Sequence, residues 1–175
     1  MSRGVLLVSL LAFAGSVSAA ISSPPGVPSS LQVFADEEPA FALAGIGAMI
    51  YECRVDPTMS NRYAWSLVGP EVVLFDRDGK RVGRYVRGPI FEAQGSLLPG
   101  QVMTFHDAPK PTDAPWLLIS ASRMGQGFFA GVTRVQQINT RSGTVPDTPC
   151  DEARAGHQAR IDFAADYYFY RRKTS

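Results

Sequence analysis

The run Glu71-Val72-Val73-Leu74-Phe75-Asp76-Arg77-Asp78-Gly79-Lys80-Arg81-Val82-Gly83-Arg84-Tyr85-Val86 decides the fold class. Two short segments rich in β-branched and aromatic residues flank a polar turn. Asp78-Gly79 accepts the positive φ that tight hairpins need. A strand over 71–75 therefore returns as a strand over 81–86. The same pattern repeats on both sides. Residues 42–55 end in the alternating Ile50-Tyr51-Glu52-Cys53-Arg54-Val55, and 63–68 form a separate strand with Trp65 and Leu67 on one face. Downstream, 91–94 and 97–107 flank a turn at Gly95-Ser96. Residues 116–122 are rich in Leu and Ile, 128–138 follow Gly125-Gln126-Gly127, and 160–171 close the chain. Only 151–155 reads as a short helix. Many short strands between Gly and Pro turns predict an all-β, single-domain antiparallel β-sandwich, with a barrel as the alternative.

The N-terminus is of another kind. Met1-Ser2-Arg3 precedes an uncharged apolar run from Gly4 to Gly15, then the small residues Ser16-Val17-Ser18-Ala19-Ala20. This is the pattern of a secretory signal peptide over residues 1–19, and the apolar run is too short to span a bilayer. The expected destination is secreted or periplasmic, with no stable membrane insertion after cleavage. Residues 20–40, with Pro24-Pro25-Gly26 and Pro28, read as a Pro/Ser-rich arm. Residues 41–172 form the β domain and 173–175 a tail.

The chain has 17 Lys and Arg against 16 Asp and Glu. Arg3 belongs to the leader, so the mature chain is close to neutral. No basic stripe runs along it, which argues against a nucleic-acid partner. The two cysteines, Cys53 and Cys150, lie outside any Cys-x-x-Cys motif. An isolated pair in an exported chain is expected to form one disulfide.

Candidate chemistry is sparse. His106 and His157 are the only histidines and share no ligand spacing, so no metal and no cofactor is expected. No nucleophile-elbow or phosphate-loop motif occurs. Glu92, His106 and Asp113 are the catalytic candidates, as paired carboxylates or as members of a dispersed triad of a small extracellular hydrolase. Tyr168 and Tyr170 share one strand face and are binding candidates that would stack on a sugar ring if exposed; packing of both faces is the simpler reading. Trp65 and Trp116 read as core. Arg84 is a third binding candidate, able to hold a carboxylate through its fork of donors, although a surface pair with Glu92 is the simpler reading. The leading functional expectation is a non-enzymatic binding or interaction protein for a carbohydrate or cell-envelope component.

Several motifs occur in an informative order: Ile50-Tyr51-Glu52-Cys53, Leu67-Val68-Gly69-Pro70-Glu71, Asp76-Arg77-Asp78-Gly79, and Gly88-Pro89-Ile90-Phe91-Glu92. Ala114-Pro115-Trp116-Leu117-Leu118, Val132 through Thr140, Pro149-Cys150-Asp151 and Ala165 through Tyr170 follow. Together they resemble the secreted bacterial and fungal domain-of-unknown-function family 3455, from about Leu43 to Arg171. The resemblance implies a β-rich extracellular domain with paired cysteines and carries no established activity. Family members often have His where this chain has Arg84, and Trp where it has Phe91. Arg has no acceptor nitrogen, so chemistry resting on that His would not transfer to this chain.

Overall fold

The Asp76–Lys80 turn closes as its residues require. Gly79 sits at φ 74°, and the Asp76 carboxylate accepts the backbone N–H groups of Asp78 and Lys80 at 3.0 and 2.9 Å. A computed structural model describes residues 21–59, 62–122 and 126–174. The leader expected over 1–19 lies outside the described residues.

Eight strands follow one another among the described residues: β1 (Glu37–Val55), β2 (Tyr63–Phe75), β3 (Arg81–Val86), β4 (Ile90–Ala93), β5 (Ser96–His106), β6 (Trp116–Ala121), β7 (Val132–Ser142) and β8 (Gln158–Arg172). Each pairs antiparallel with the next, and β8 returns to pair with β1 from Glu37↔Arg172 to Glu52↔Gln158. The all-β antiparallel expectation holds. Of its two layouts, the barrel is the one formed and the two-layer sandwich is not. The physical reason is that β8 hydrogen-bonds to both β1 and β7, so the sheet has no second layer to pack against and closes on itself.

Several boundaries differ from the sequence reading. The strands expected over 63–68 and 71–75 are one strand, β2, which passes through Gly69-Pro70. Gly69 takes φ 148°, and the pairing with β1 shifts there by one residue. A bulge bends the strand without ending it. β7 begins at Val132, because Gly127–Phe129 forms a 3-10 turn, and runs on to Ser142. The short helix expected over 151–155 is a 3-10 turn, Glu152–Arg154, capped by the Asp151 carboxylate accepting from Arg154 N–H at 3.1 Å.

The barrel interior is filled. Alternation along β8 sends Phe163, Ala165, Tyr167 and Phe169 inward, where all four are buried. Tyr85 stacks on Phe91 at 4.5 Å between ring centroids, and Phe41 on Phe169 at 4.6 Å. Burial raises the Tyr85 and Tyr167 phenols above their ordinary range. The one disulfide, Cys53–Cys150, ties the far end of β1 to the loop before β8.

The N-terminal arm packs on the barrel. Residues 21–36 lie as a strap over the outer faces of β5, β6, β7 and β8. Leu31, in the 3-10 turn Ser29–Leu31, is fully buried, and its carbonyl accepts from Gln136 Nε2 at 2.7 Å. The strap ends on a buried ion pair. Glu37 accepts from Arg134 at 2.9 Å, from the Thr133 hydroxyl at 2.7 Å and from Phe34 N–H at 3.1 Å. The Phe34 ring lies over the Arg134 guanidinium at 4.2 Å. Proline fixes the arm's backbone, and Leu31 anchors it.

Candidate functional site

The strap covers part of the outer surface over β5 to β8. Away from the strap the strand register aligns outward residues into a row that runs round the barrel. Arg141 on β7 faces Ala164 on β8, which faces Ile46 on β1. Ile46 faces Val73 on β2, Val73 faces Arg84 on β3, Arg84 faces Glu92 on β4, and Glu92 faces Leu97 on β5. Inward neighbours such as Phe163, Val72, Tyr85 and Phe91 fill the core, so alternation turns this row to solvent. Ile46 and Leu97 are 57% and 59% exposed.

Next to this row lies a groove of about 570 Å³ between β2 and β3. Its floor is aliphatic, from Ile50, Val73 and Val86, and Arg81, Arg84, Arg87 and Arg160 stand around it. Arg160 starts from β8, opposite Ile50, and reaches over β1 to pair with Glu71 on β2. Arg84 pairs with Glu92 directly across β3 and β4, as expected from the sequence. Arg81 and Arg87 form no ion pair among the described residues. Outward acids near the row include Glu71, Glu92, Asp162 and Asp166; the first two are ion-paired, and Asp166 accepts from Asn139 Nδ2 at 2.9 Å. A second groove, of about 520 Å³, lies on the other side of the Arg81–Arg84 ridge, against Glu92, Ser96 and Leu97.

Gly69 helps to shape the first groove. At its φ of 148° a Cβ would stand 2.7 Å from the Arg87 Cβ, so glycine lets the β3–β4 turn pack close to β2. Guanidinium groups over an aliphatic floor can hold anionic groups bidentately while an apolar ligand face rests below.

The other sequence candidates lie apart from this groove and from one another. His106 ends β5, 3.5 Å from the Ser30 hydroxyl on the strap. Asp113 accepts Ser142 N–H at 2.7 Å and forms a bridge to Gly143. Glu92 is held by Arg84. No hydrogen bond or ion pair among the described residues joins any two of Glu92, His106 and Asp113. Tyr170 is 1% exposed under the strap, and its O–H donates to Gln136 Oε1 at 2.6 Å. Burial pushes its pKa up to about 12. Tyr168 is half-buried beside Ile21, Ser22 and Arg77. The two tyrosines therefore form no exposed platform; the strap occupies that face. Trp65 is half-buried and donates to the Thr148 carbonyl at 2.7 Å. Trp116 Nε1 is buried with no partner among the described residues. No cluster of three His, Cys, Asp or Glu side chains suited to a metal occurs among the described residues.

The Arg84–Glu92 pair was legible from sequence. Its partners in the groove were not, because Arg160 lies about 76 residues away and reaches Glu71 only once β8 pairs with β1.

Residues 34–171 match the model of a family described as "Protein of unknown function (DUF3455)", and the chain belongs to that family. No curated protein and no solved structure matches the chain.

Proposed function

We propose that this member of the family is an exported, non-enzymatic binding protein whose ligand is an anionic carbohydrate or envelope component. The groove between β2 and β3 carries the reading, with four guanidinium groups around an aliphatic floor and only Glu71 as an acid in its lining. The lining contains no aromatic ring, so charge, and not ring stacking, distinguishes ligands there. The disulfide supports export to an oxidising compartment, in keeping with the leader read over residues 1–19. The outward Arg84, Glu71, Arg160 and Asp162 and the packed apolar interior are the reverse of a membrane barrel, whose outer band is apolar. No helix among the described residues is long and apolar enough to cross a membrane.

Calorimetric titration of the mature, oxidised protein at low salt tests the reading. The probes are a trigalacturonate and the same oligosaccharide with its carboxylates reduced to alcohols. Binding of the acid that weakens with salt and with Arg84→Gln plus Arg87→Gln supports the reading. Equal affinity for the acid and the neutral sugar, or binding unchanged in the double variant, contradicts it.

A further inference from the structure

One end of the groove between β2 and β3 already holds a carboxylate of the protein itself, and this inference rests on the anionic-ligand reading above. Register places Arg160 on β8 opposite Ile50 on β1, and Ile50 opposite Gly69 on β2. From the other side Arg87, in the turn after β3, packs on the same glycine, where an added Cβ would stand 2.7 Å from the Arg87 Cβ. Two arginines thus flank the Ile50–Gly69 row, one from β8 and one from the β3–β4 turn, and both line the groove. They differ in one respect. Arg87 forms no ion pair among the described residues, whereas Arg160 is held by Glu71, two positions along β2 from Gly69.

Ile50 marks what that pair covers. It shares the outward parity of Ile46, which is 57% exposed, yet only 4% of Ile50 is exposed. Arg160 crosses β1 at the level of Ile50 to reach Glu71, which puts its methylene stem over that floor residue. The pair itself is open to water, with side-chain exposures of 61% for Arg160 and 59% for Glu71. An exposed ion pair adds little stability, so an incoming carboxylate can exchange for Glu71 at small cost. A guanidinium set against one carboxylate presents the same donors to another.

We infer that Glu71 is a displaceable internal competitor: a ligand carboxylate takes Arg160 from Glu71 and is shared with Arg87 over the Ile50–Gly69 row. Arg87 makes the first contact, because it has no ion-pair partner to give up. Release of Glu71 then admits the carboxylate to the second guanidinium. The same acid selects ligands. A neutral ligand offers Arg160 nothing in place of Glu71 and leaves the pair closed. Glu92 does not play this part, because it pairs with Arg84 from β4 and lies outside the lining of this groove.

The test is a double-mutant cycle in trigalacturonate affinity, measured by calorimetry on the mature oxidised protein at low salt. The four proteins are the wild type, Glu71→Gln, Arg160→Gln and the double variant, with Asp162→Asn as a control. Asp162 is an outward acid on β8, two residues from Arg160, and forms no ion pair among the described residues. Glu71→Gln should bind about fivefold tighter than the wild type, the scale of an exposed ion pair. Arg160→Gln should bind more weakly. The double variant should match Arg160→Gln within about twofold, because without Arg160 there is no pair to open. Asp162→Asn should stay within about twofold of the wild type. Circular dichroism confirms that each surface variant folds. Affinity unchanged or weakened by Glu71→Gln overturns the competitor and leaves the anionic groove standing. The same gain from Glu71→Gln with and without Arg160, or an equal gain from Asp162→Asn, assigns the effect to general repulsion of the anion and also overturns it. No binding by the wild type or by any variant removes the anionic-ligand reading as well.

Discussion

Replacing both cysteines with alanine tests how this barrel is held together. Cys53 and Cys150 are separated by 97 positions, and the loop they close carries β2 through β7. In the chain-entropy relation, a closed loop of that length lowers the entropy of the unfolded chain enough to stabilise the fold by about 4.7 kcal/mol at 25 °C. Native geometry at the site does not depend on sulfur alone. Cys53 N–H donates to the His157 carbonyl at 2.9 Å, and Gly156 N–H donates to the Cys53 carbonyl at 2.8 Å. The end of β1 therefore stays paired in the variant, and the loss acts on the unfolded ensemble. For a domain of this size each kcal/mol moves Tm by about 2–4 °C, so Tm should fall by about 10–19 °C. The assay is reversible thermal and urea unfolding followed by circular dichroism, comparing the oxidised wild type with Cys53→Ala/Cys150→Ala. The urea m-value should rise, because the unfolded variant exposes more surface. A Tm drop below about 3 °C with an unchanged m-value would refute the reasoning, since the unfolded chain would then be restrained without the bridge.

Two further outcomes concern the strap. Leu31→Ala removes a fully buried side chain and should destabilise by about 2–4 kcal/mol in urea unfolding, with faster proteolysis of residues 21–36; an unchanged midpoint would show that the strap is not anchored through Leu31. Tyr170 links stability to alkaline pH. Its folded pKa of about 12 lies above the ordinary 10, so the neutral form is favoured in the fold. Its contribution is complete below about pH 10, and is lost as the pH rises through about 12, because the unfolded chain gives up its proton first. Tyr170→Phe should flatten the fall in stability over that window, measured by urea midpoints at successive pH values. An identical slope in the variant would assign the fall to other groups.

The fold was legible where local chemistry settles it. The Asp-Gly turn, the alternation in β8 and the Cys pair each name their structure within a few residues. Period two puts Tyr167 and Phe169 on one face of β8 and Tyr168 and Tyr170 on the other, and the first pair is core. Closure was less legible. The pairing of β1 with β8 is a contact between chain ends, and the residues of a sandwich and a small barrel alternate in the same way. Gly69-Pro70 reads as a stop, yet a bulge carries β2 through it. The role of the arm was hidden for a similar reason. Leu31 gives no periodic signal in a proline-rich stretch, and only the fold shows that it covers Gln136 and Tyr170 and so removes the tyrosine platform. At the groove, Arg84 and Glu92 were visible as a local pair eight residues apart, whereas Arg160 arrives from β8 through register alone.

Chemical-shift mapping with ¹⁵N-labelled protein, including the arginine Nε–H signals, tests the central claim most directly. Trigalacturonate is titrated into the mature protein at low salt. Shifts should move at Arg84 and Arg87 Nε–H and at the backbone of Val73 and Val86, and stay fixed at Leu31 and Gln136 under the strap. Movement confined to the strap face, with Arg84 unmoved at saturation, would contradict the placement of the binding surface.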